Sequence, residues 1–166
     1  MRLLIVGAGG HGRVVKETAQ VQKKYPFEDI AFVDDRSTNA IGTTADLKDL
    51  QKDYDMAVVA IGSNRIRASL QKKLKELGYD IPTLIHPTAY VSPSAQIGEG
   101  TVVEPMVVIN ANVRIGDGCI ISVGSIVDHD AVIDEYCHVN AGAIVMSMAH
   151  LDACEKIDAG KVLENH

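Results

Sequence analysis

A repeat of branched aliphatic side chains, one every six residues, dominates the second half of the chain. Stepping by six from Val91 reaches twelve successive positions that are all Ile, Leu or Val, the last being Ile157. Small or β-branched residues stand two places before most of these aliphatics, and this second column breaks at Glu155. Self-similarity at a fixed spacing is typical of solenoids, in which stacked units share one continuous core.

A period of six has a direct structural meaning. Three short parallel strands form one triangular coil, with one aliphatic side chain per strand inside and Gly, Asn or Asp at the turns. We therefore predict a left-handed parallel β-helix, a hexapeptide-repeat solenoid, over residues 85–166, with an irregular end after about residue 150. The alternative is a β-sandwich, but its period-two alternation predicts turns about every 8–12 residues.

Residues 1–84 show a different pattern, in which apolar strands alternate with amphipathic helices. The predicted elements are strands at 2–6, 30–33 and 56–61, helices at 14–22 and 66–77, and a candidate last strand at 81–85. The second helix places four aliphatic residues on one face, namely Ile66, Leu70, Leu74 and Leu77. This order predicts an α/β, Rossmann-like domain at residues 1–84.

A glycine-rich turn joins the first predicted strand to the first helix, with the sequence Gly7-Ala8-Gly9-Gly10-His11-Gly12. Backbone N–H groups at a helix N-terminus favour an anion such as a phosphate. Asp34 and Asp35 end the next strand, where an acidic side chain can reach a ribose hydroxyl. A dinucleotide needs two mononucleotide-binding halves, for which this domain is small. A nucleotide sugar fits better, and a purely structural glycine turn is the other alternative.

Composition narrows the function classes. The chain of 166 residues has 46% hydrophobic and 23% charged residues and a net charge of −6, which does not suit a nucleic-acid partner. No apolar run reaches the length that spans a bilayer, so we expect a cytoplasmic protein with no membrane partner. Three cysteines without metal-type spacing predict no metal site.

Histidines are the candidates for acid–base chemistry. His129 stands between Asp128 and Asp130, two residues after an inward aliphatic, and His138 precedes inward Val139. Both histidines should therefore face outward. General base catalysis needs a group of near-neutral pKa, and a neighbouring carboxylate would orient the imidazole. Solvated polar turn residues are the alternative interpretation.

The order of motifs resembles the PglD/NeuD-type sugar acyltransferases. The motifs are the glycine turn, the Asp34-Asp35 strand end, Ile61-Gly62-Ser63-Asn64-Arg65, Leu84-Ile85-His86-Pro87-Thr88-Ala89, His129-Asp130 and Cys137-His138-Val139-Asn140-Ala141-Gly142. The resemblance implies acetyl-CoA as co-substrate, a nucleotide-sugar substrate and a homotrimer with active sites between neighbouring β-helices. Family members usually continue through further coils, so the C-terminus is short by comparison.

The resemblance also implies roles for individual residues. His129 resembles the general base and Asp130 the carboxylate that polarises it, while His138 and Gly142 would contact acetyl-CoA. The implied substrate-binding residues are Gly9, Gly10, His11, Gly12, Asp34, Asp35, Arg36, Gly62, Asn64 and Arg65.

The expected reaction is acetyl transfer from acetyl-CoA to the amine of a nucleotide-linked amino sugar. Two alternatives stay open on the sequence. One is O-acetylation of a sugar hydroxyl, as in a sialic acid, because an amine and a hydroxyl need the same base. The other is a non-catalytic nucleotide-sugar-binding relative without a full CoA groove.

Overall fold

The computed structural model describes residues 1–165 and divides into two compact units, Met1–Pro82 and Thr83–His166. The candidate last strand at 81–85 does not belong to the first unit. Leu84 and Ile85 instead pair in parallel with Val102 and Val103, so they open the solenoid. Of the described residues, no helix is long and apolar enough to cross a membrane.

The first unit is a three-stranded parallel sheet with helices. Its strands are β1 (Arg2–Val6), β2 (Asp29–Val33) and β3 (Met56–Val59), in the order β2-β1-β3. Its helices are α1 (Gly10–Val21), α2 (Leu47–Leu50) and α3 (Asn64–Glu76). Residues Leu3 to Val6 of the central strand are all buried, as a strand covered on both faces requires. The sequence predicted the three strands and the two longer helices, and it missed α2.

Helix α3 departs from the predicted apolar face. Ile66 is 52% exposed, whereas Arg67 and Gln71 are buried beside Leu74. The Arg67 guanidinium donates to the Ile61 carbonyl at 2.9 Å and to Asn64 Oδ1 at 2.8 Å. These hydrogen bonds offset the cost of burying its charge. The prediction that Ile66 lies on the buried face was wrong, because the hydrogen-bonded Arg67 and the neighbouring Gln71 occupy the buried face in its place.

The second unit is a parallel β-solenoid of fourteen two-residue strands. They are β4 (Leu84–Ile85), β5 (Tyr90–Val91), β6 (Gln96–Ile97), β7 (Val102–Val103), β8 (Val108–Ile109), β9 (Arg114–Ile115), β10 (Ile120–Ile121), β11 (Ile126–Val127), β12 (Val132–Ile133), β13 (His138–Val139), β14 (Ile144–Val145), β15 (His150–Leu151), β16 (Lys156–Ile157) and β17 (Val162–Leu163). Every third strand pairs, which gives three sheets. We name them the first face (β4, β7, β10, β13, β16), the second face (β5, β8, β11, β14, β17) and the third face (β6, β9, β12, β15).

The predicted aliphatic column fills the solenoid. Every member from Val103 to Ile157 is buried, and Ile85 and Leu163 extend the period at its two ends. The predicted irregular end was wrong, because β15, β16 and β17 continue the ladder after residue 150. Glu155 is tolerated since its side chain is exposed while its carbonyl accepts from His138 N at 2.9 Å. The fold class predicted from sequence, an α/β unit followed by a parallel β-solenoid, is confirmed.

One backbone conformation recurs at successive corners of the solenoid from Gly100 to Gly160. Eleven residues at intervals of six have φ between 58° and 71°, the left-handed region that favours glycine. They are Gly100, Met106, Asn112, Gly118, Gly124, Asp130, Tyr136, Gly142, Met148, Cys154 and Gly160. Six of the eleven are not glycine, so the ladder imposes this conformation on side chains that rarely adopt it.

Candidate active site

A cavity of about 670 Å³ lies in the first unit, where strands β1 and β2 end near helix α3. Such a volume is typical of small-molecule sites. Asp34, Asp35, Arg36 and Arg65, all predicted to bind substrate, line this cavity. The other lining residues are Val6, Gly7, Val33, Thr44, Ile61, Ile66, Ser69 and Leu70.

The two aspartates of this cavity are already engaged with the protein. Asp34 Oδ2 accepts from Ala8 N, and Asp34 Oδ1 accepts from Arg36 N, both at 2.8 Å. These backbone hydrogen bonds lower the pKa of Asp34, the one from Ala8 most. Asp35 accepts from the Thr44 backbone N–H at 2.7 Å and from its hydroxyl at 3.0 Å. Both carboxylates therefore hold loops around the cavity. The positively charged side chains in its lining are Arg36 and Arg65.

The glycine turn separates into structural and open positions. A Cβ at Gly12 would overlap the Gly7 carbonyl oxygen, so only glycine lets α1 pack this closely on β1. A Cβ at Gly9 would meet nothing within 4 Å, and one at Gly10 only the end of Arg13 at 4.0 Å. Helix α1 begins at Gly10, and its N-cap position, Gly9, makes no side-chain capping hydrogen bond. The N-terminus of a helix favours an anion. His11 lies half-buried in this first turn.

The second predicted loop divides in the same way. Gly62 is exposed, and a Cβ there would meet nothing within 4 Å. Asn64 Oδ1 accepts from the buried Arg67 guanidinium, so this amide anchors the start of α3. Arg65, predicted to bind substrate, is among the residues that line the cavity. Gly9, Gly10, His11, Gly12, Gly62 and Asn64 are not among the residues that line it.

His129 and Asp130 form a hydrogen-bonded pair at the corner between β11 and β12. His129 Nδ1 lies 2.8 Å from Asp130 Oδ2, and the two side chains are about half exposed. The same bond lowers the pKa of Asp130, which is therefore ionised near neutral pH. An ionised carboxylate only accepts, so Nδ1 carries the proton of the neutral ring and Nε2 carries the lone pair.

The electrostatics of this corner increase the basicity of His129. The hydrogen bond that His129 Nδ1–H donates to Asp130 raises the imidazole pKa above its usual 6.5, with further contributions from the charges of Asp128 and Asp130. Asp128 Oδ1 accepts from the His129 backbone N–H at 2.8 Å, which fixes the turn. A half-exposed imidazole with one nitrogen held and the other available has the arrangement of a general base.

His138 and Gly142 lie together, away from His129. His138 is half-buried on the first face, and its Nε2 lies 3.1 Å from Ser122 Oγ. Gly142 follows at the corner between the first and second faces with φ of 64°, and a Cβ there would meet nothing within 4 Å. The Gly142 N–H donates to the Val123 carbonyl at 3.0 Å, so this backbone group serves the ladder.

The solenoid does not bring the two histidines together within one chain. His129 occupies the corner between the second and third faces, and His138 lies on the first face. In a three-sided coil that corner is opposite the first face, with the aliphatic core between them. The two histidines therefore lie on different sides of the aliphatic core of one chain.

The acidic groups near the end of the solenoid give one further cluster. Asp134, His150 and Asp152 place one donor atom each within 4.8 Å of one another. His150 Nε2 lies 3.0 Å from Asp134 Oδ2, a hydrogen bond that needs no ion. We assign no metal to this exposed group.

Sequence reasoning missed several residues that shape these sites. Thr44, in the loop before α2, and Ser69, in α3, line the cavity. Neither residue belongs to a sequence motif, so no pattern indicated them. Asn112 and Ser122 contact the predicted site residues Asp130 and His138, and Asn110 contacts Asp128 beside His129. A signal for the asparagines was present in the sequence. Each precedes its aspartate partner by 18 residues, which is three six-residue repeats and so one coil.

Comparison with known proteins places these features in a family. Residues 2–74 match the family model described as PglD N-terminal domain. The chain is 36% identical over 108 residues to UDP-N-acetylbacillosamine N-acetyltransferase of Bacillus subtilis (strain 168). This match covers 59% of the chain and 49% of the relative, so the aligned segment spans about half of the relative's length.

Solved structures match over nearly the whole chain. The acetyltransferase domain of PglB from Neisseria gonorrhoeae FA1090, in complex with acetyl coenzyme A, is 37% identical with a TM-score of 0.92, over 97% of this chain and 80% of that one. A mutant of GDP-perosamine N-acetyl transferase from Caulobacter crescentus, in complex with CoA and GDP-perosamine, is 31% identical with a TM-score of 0.87, over 99% and 89%. Because identity above 30% extends over at least 80% of these solved proteins, the chain belongs to the PglD/NeuD-type family of hexapeptide-repeat sugar acyltransferases.

Proposed function

We propose that this chain transfers the acetyl group of acetyl-CoA to an amine of a nucleotide-linked amino sugar. The observation that carries the proposal is the His129–Asp130 pair, with the imidazole held through Nδ1 and its pKa raised. The similar proteins support the same chemistry, since one is named as a GDP-perosamine N-acetyl transferase bound to CoA and its nucleotide sugar.

The proposed reaction uses His129 as a proton carrier. The amine nitrogen attacks the thioester carbonyl carbon while Nε2 of His129 accepts a proton from that nitrogen. The tetrahedral intermediate then collapses, the carbon–sulfur bond breaks, and the CoA sulfur leaves and takes up the proton. Asp130 stabilises the imidazolium formed between these steps, as the carboxylate of a catalytic triad does.

The nucleotide part is proposed to bind in the cavity of the first unit. Arg36 and Arg65 supply positive charge for the phosphates, and the uncapped N-terminus of α1 supplies N–H donors nearby in the fold. Isothermal calorimetry with UDP and GDP tests this step. Arg65→Ala should weaken binding by about tenfold, the loss of one charge-assisted contact.

A homotrimer, which the resemblance to the family implies, is part of the proposal, and a neighbouring copy could place its own His138 beside the corner of His129. The second face presents apolar residues at successive strands, all at least partly exposed: Tyr90, Val108, Ile126, Ile144 and Val162. This face lies between the corner of His129 and the corner of Gly142. A neighbouring copy seated there would bury the apolar stripe and bring its own residues to both corners.

The test is thiol release from acetyl-CoA, followed with a chromogenic thiol reagent, in the presence of GDP-perosamine or a UDP-4-amino sugar. His129→Ala should reduce kcat by at least about 100-fold, the usual contribution of a general base. His150→Ala is the matched control, because His150 is also an exposed histidine paired with an aspartate, Asp134 at 3.0 Å. Equal loss in both variants, or no loss in His129→Ala, would remove His129 from the mechanism.

A further inference from the structure

The coil that precedes the His129–Asp130 pair carries two asparagines aimed at it. Asn112 Nδ2 donates to Asp130 Oδ1 at 3.2 Å, and Asn110 Nδ2 donates to Asp128 Oδ1 at 3.0 Å. Each asparagine lies 18 residues before its aspartate, so the two pairs stack on neighbouring coils. The two carboxylates that flank His129 are thus both held by amides from the coil before.

The hydrogen-bond series that start at Asn112 and at Asn110 end on different atoms of His129. Through Asp130, the Asn112 amide is connected to the imidazole Nδ1 at 2.8 Å. Through Asp128, the Asn110 amide is connected to the His129 backbone N–H at 2.8 Å. The series from Asn112 therefore orients the His129 ring, and the series from Asn110 holds the backbone turn that carries this residue.

Backbone geometry restricts the residues of the hydrogen-bond series that runs from Asn112 through Asp130 to the His129 ring. Asn112 and Asp130 occupy equivalent corners, with φ of 58° and 59°. The Asn112 N–H donates to Ser94 Oγ at 3.0 Å, so the coil below holds it in turn. Because Asp130 can accept from both Asn112 and His129 through separate oxygens, its carboxylate has one preferred rotation.

We propose that Asn110 and Asn112 are positioning residues for the base, with Asn112 holding the Asp130 carboxylate so that His129 keeps its proton on Nδ1 and presents Nε2 to the substrate. The inference deepens the proposed acetyl transfer and rests on it for the catalytic consequence. The arrangement of the protons is a property of the chain itself and is measurable without any substrate.

The charged groups around His129 are few. Asp128 and Asp130 flank it, and Arg114 lines the same surface groove as Asp130, Asn112, Ser94 and Gln96. The following coil places uncharged residues at the equivalent turn, Met146, Ser147 and Met148. Replacing Asn112 by an uncharged residue therefore leaves every charge near the imidazole unchanged.

The test is nitrogen NMR of protein labelled with ¹⁵N-histidine, with the His129 signals assigned by their loss in His129→Ala. Asn112→Gly removes the amide and keeps a residue suited to φ of 58°. We expect the Nδ1–H form, dominant in the native protein, to give way to a mixture with Nε2–H, and the His129 pKa to move down toward its usual value. Asn110→Ala should leave the His129 tautomer unchanged, because the hydrogen bonds from Asn110 lead through Asp128 to the His129 backbone N–H and not to the ring.

Met106→Gly is the matched control, because Met106 also has a left-handed φ of 60° and is exposed, but it lies at the corner between the first and second faces and not at the corner of His129. In the thiol-release assay, Asn112→Gly should lower kcat about tenfold with KM unchanged, as expected for a misplaced base. If the tautomer and pKa in Asn112→Gly match those in Met106→Gly, the positioning role is overturned. A changed tautomer in a protein that transfers no acetyl group would instead overturn the proposed function alone.

Discussion

Gly12→Ala is expected to destabilise the first unit even though alanine is the better helix former. In an exposed helix position the change would stabilise by about 1 kcal/mol. Here the added Cβ would overlap the Gly7 carbonyl oxygen, lie 3.0 Å from the Gly7 carbonyl carbon and 3.5 Å from Phe32 Cε1. Overpacking typically costs about 1–3 kcal/mol, and the upper end applies because backbone cannot rotate away. The net expectation is a loss of about 2 kcal/mol.

Gly10→Ala provides the opposite sign in the same helix. Its Cβ would meet only the mobile end of Arg13 at 4.0 Å, so the helix propensity gain of up to about 1 kcal/mol should remain. The pair of variants thus separates steric contact from backbone propensity, with all other features of α1 held constant.

Circular dichroism at 222 nm during thermal unfolding measures this effect selectively. The three helices found among residues 1–165 all belong to the first unit, so the helical signal reports on that unit and not on the solenoid. For a domain of this size about 2 kcal/mol corresponds to a fall in Tm of roughly 8–16 °C. A Gly12→Ala variant that melts at or above the native temperature would refute the close packing of α1 on β1.

Four further outcomes follow from the geometry. His129 must be neutral to accept a proton, and its pKa is raised above 6.5, so kcat/KM should start to decrease with falling pH at a pH higher than 6.5. Asp130→Asn should shift this decrease to lower pH and reduce the maximal rate. Asp34→Ala should weaken UDP or GDP binding in calorimetry, because it releases Ala8 N and Arg36 N beside the cavity. Gly116→Ala should lower the solenoid's resistance to urea by about 1–3 kcal/mol, since its Cβ would lie 2.6 Å from Glu135 N. Ile126→Lys on the second face should reduce the mass seen by light scattering to that of a monomer.

The repeat made the solenoid predictable almost residue by residue. A column such as Val103, Ile109 and Ile115 carries its own register, because one residue of slip would expose every member. The end of the solenoid was harder to predict. Glu155 breaks the small-residue column, yet backbone ladder bonds, which no side-chain pattern reveals, carry the strands beyond it.

The candidate sites were only partly predictable. The His129–Asp130 pair follows from adjacency in the chain, and the outward direction of His129 follows from the period. The engagement of Asp34 with Ala8 and of Asn64 with Arg67 did not follow, because hydrogen bonds between loops depend on rotamers and backbone turns. The burial of Arg67 escaped for the same reason, as amphipathic patterns assign arginine to solvent.

The uniform corner conformation has a consequence for how such a chain tolerates change in length. Since every sixth residue from Gly100 to Gly160 must turn with the same handed backbone, inserting or deleting a few residues within a strand would put the wrong side chain at each later corner. Addition or removal of eighteen residues, one circuit of the prism, restores every stacking relation. Evolution of this half of the molecule is thus expected to proceed in whole circuits, with smaller insertions confined to loops extruded at the corners.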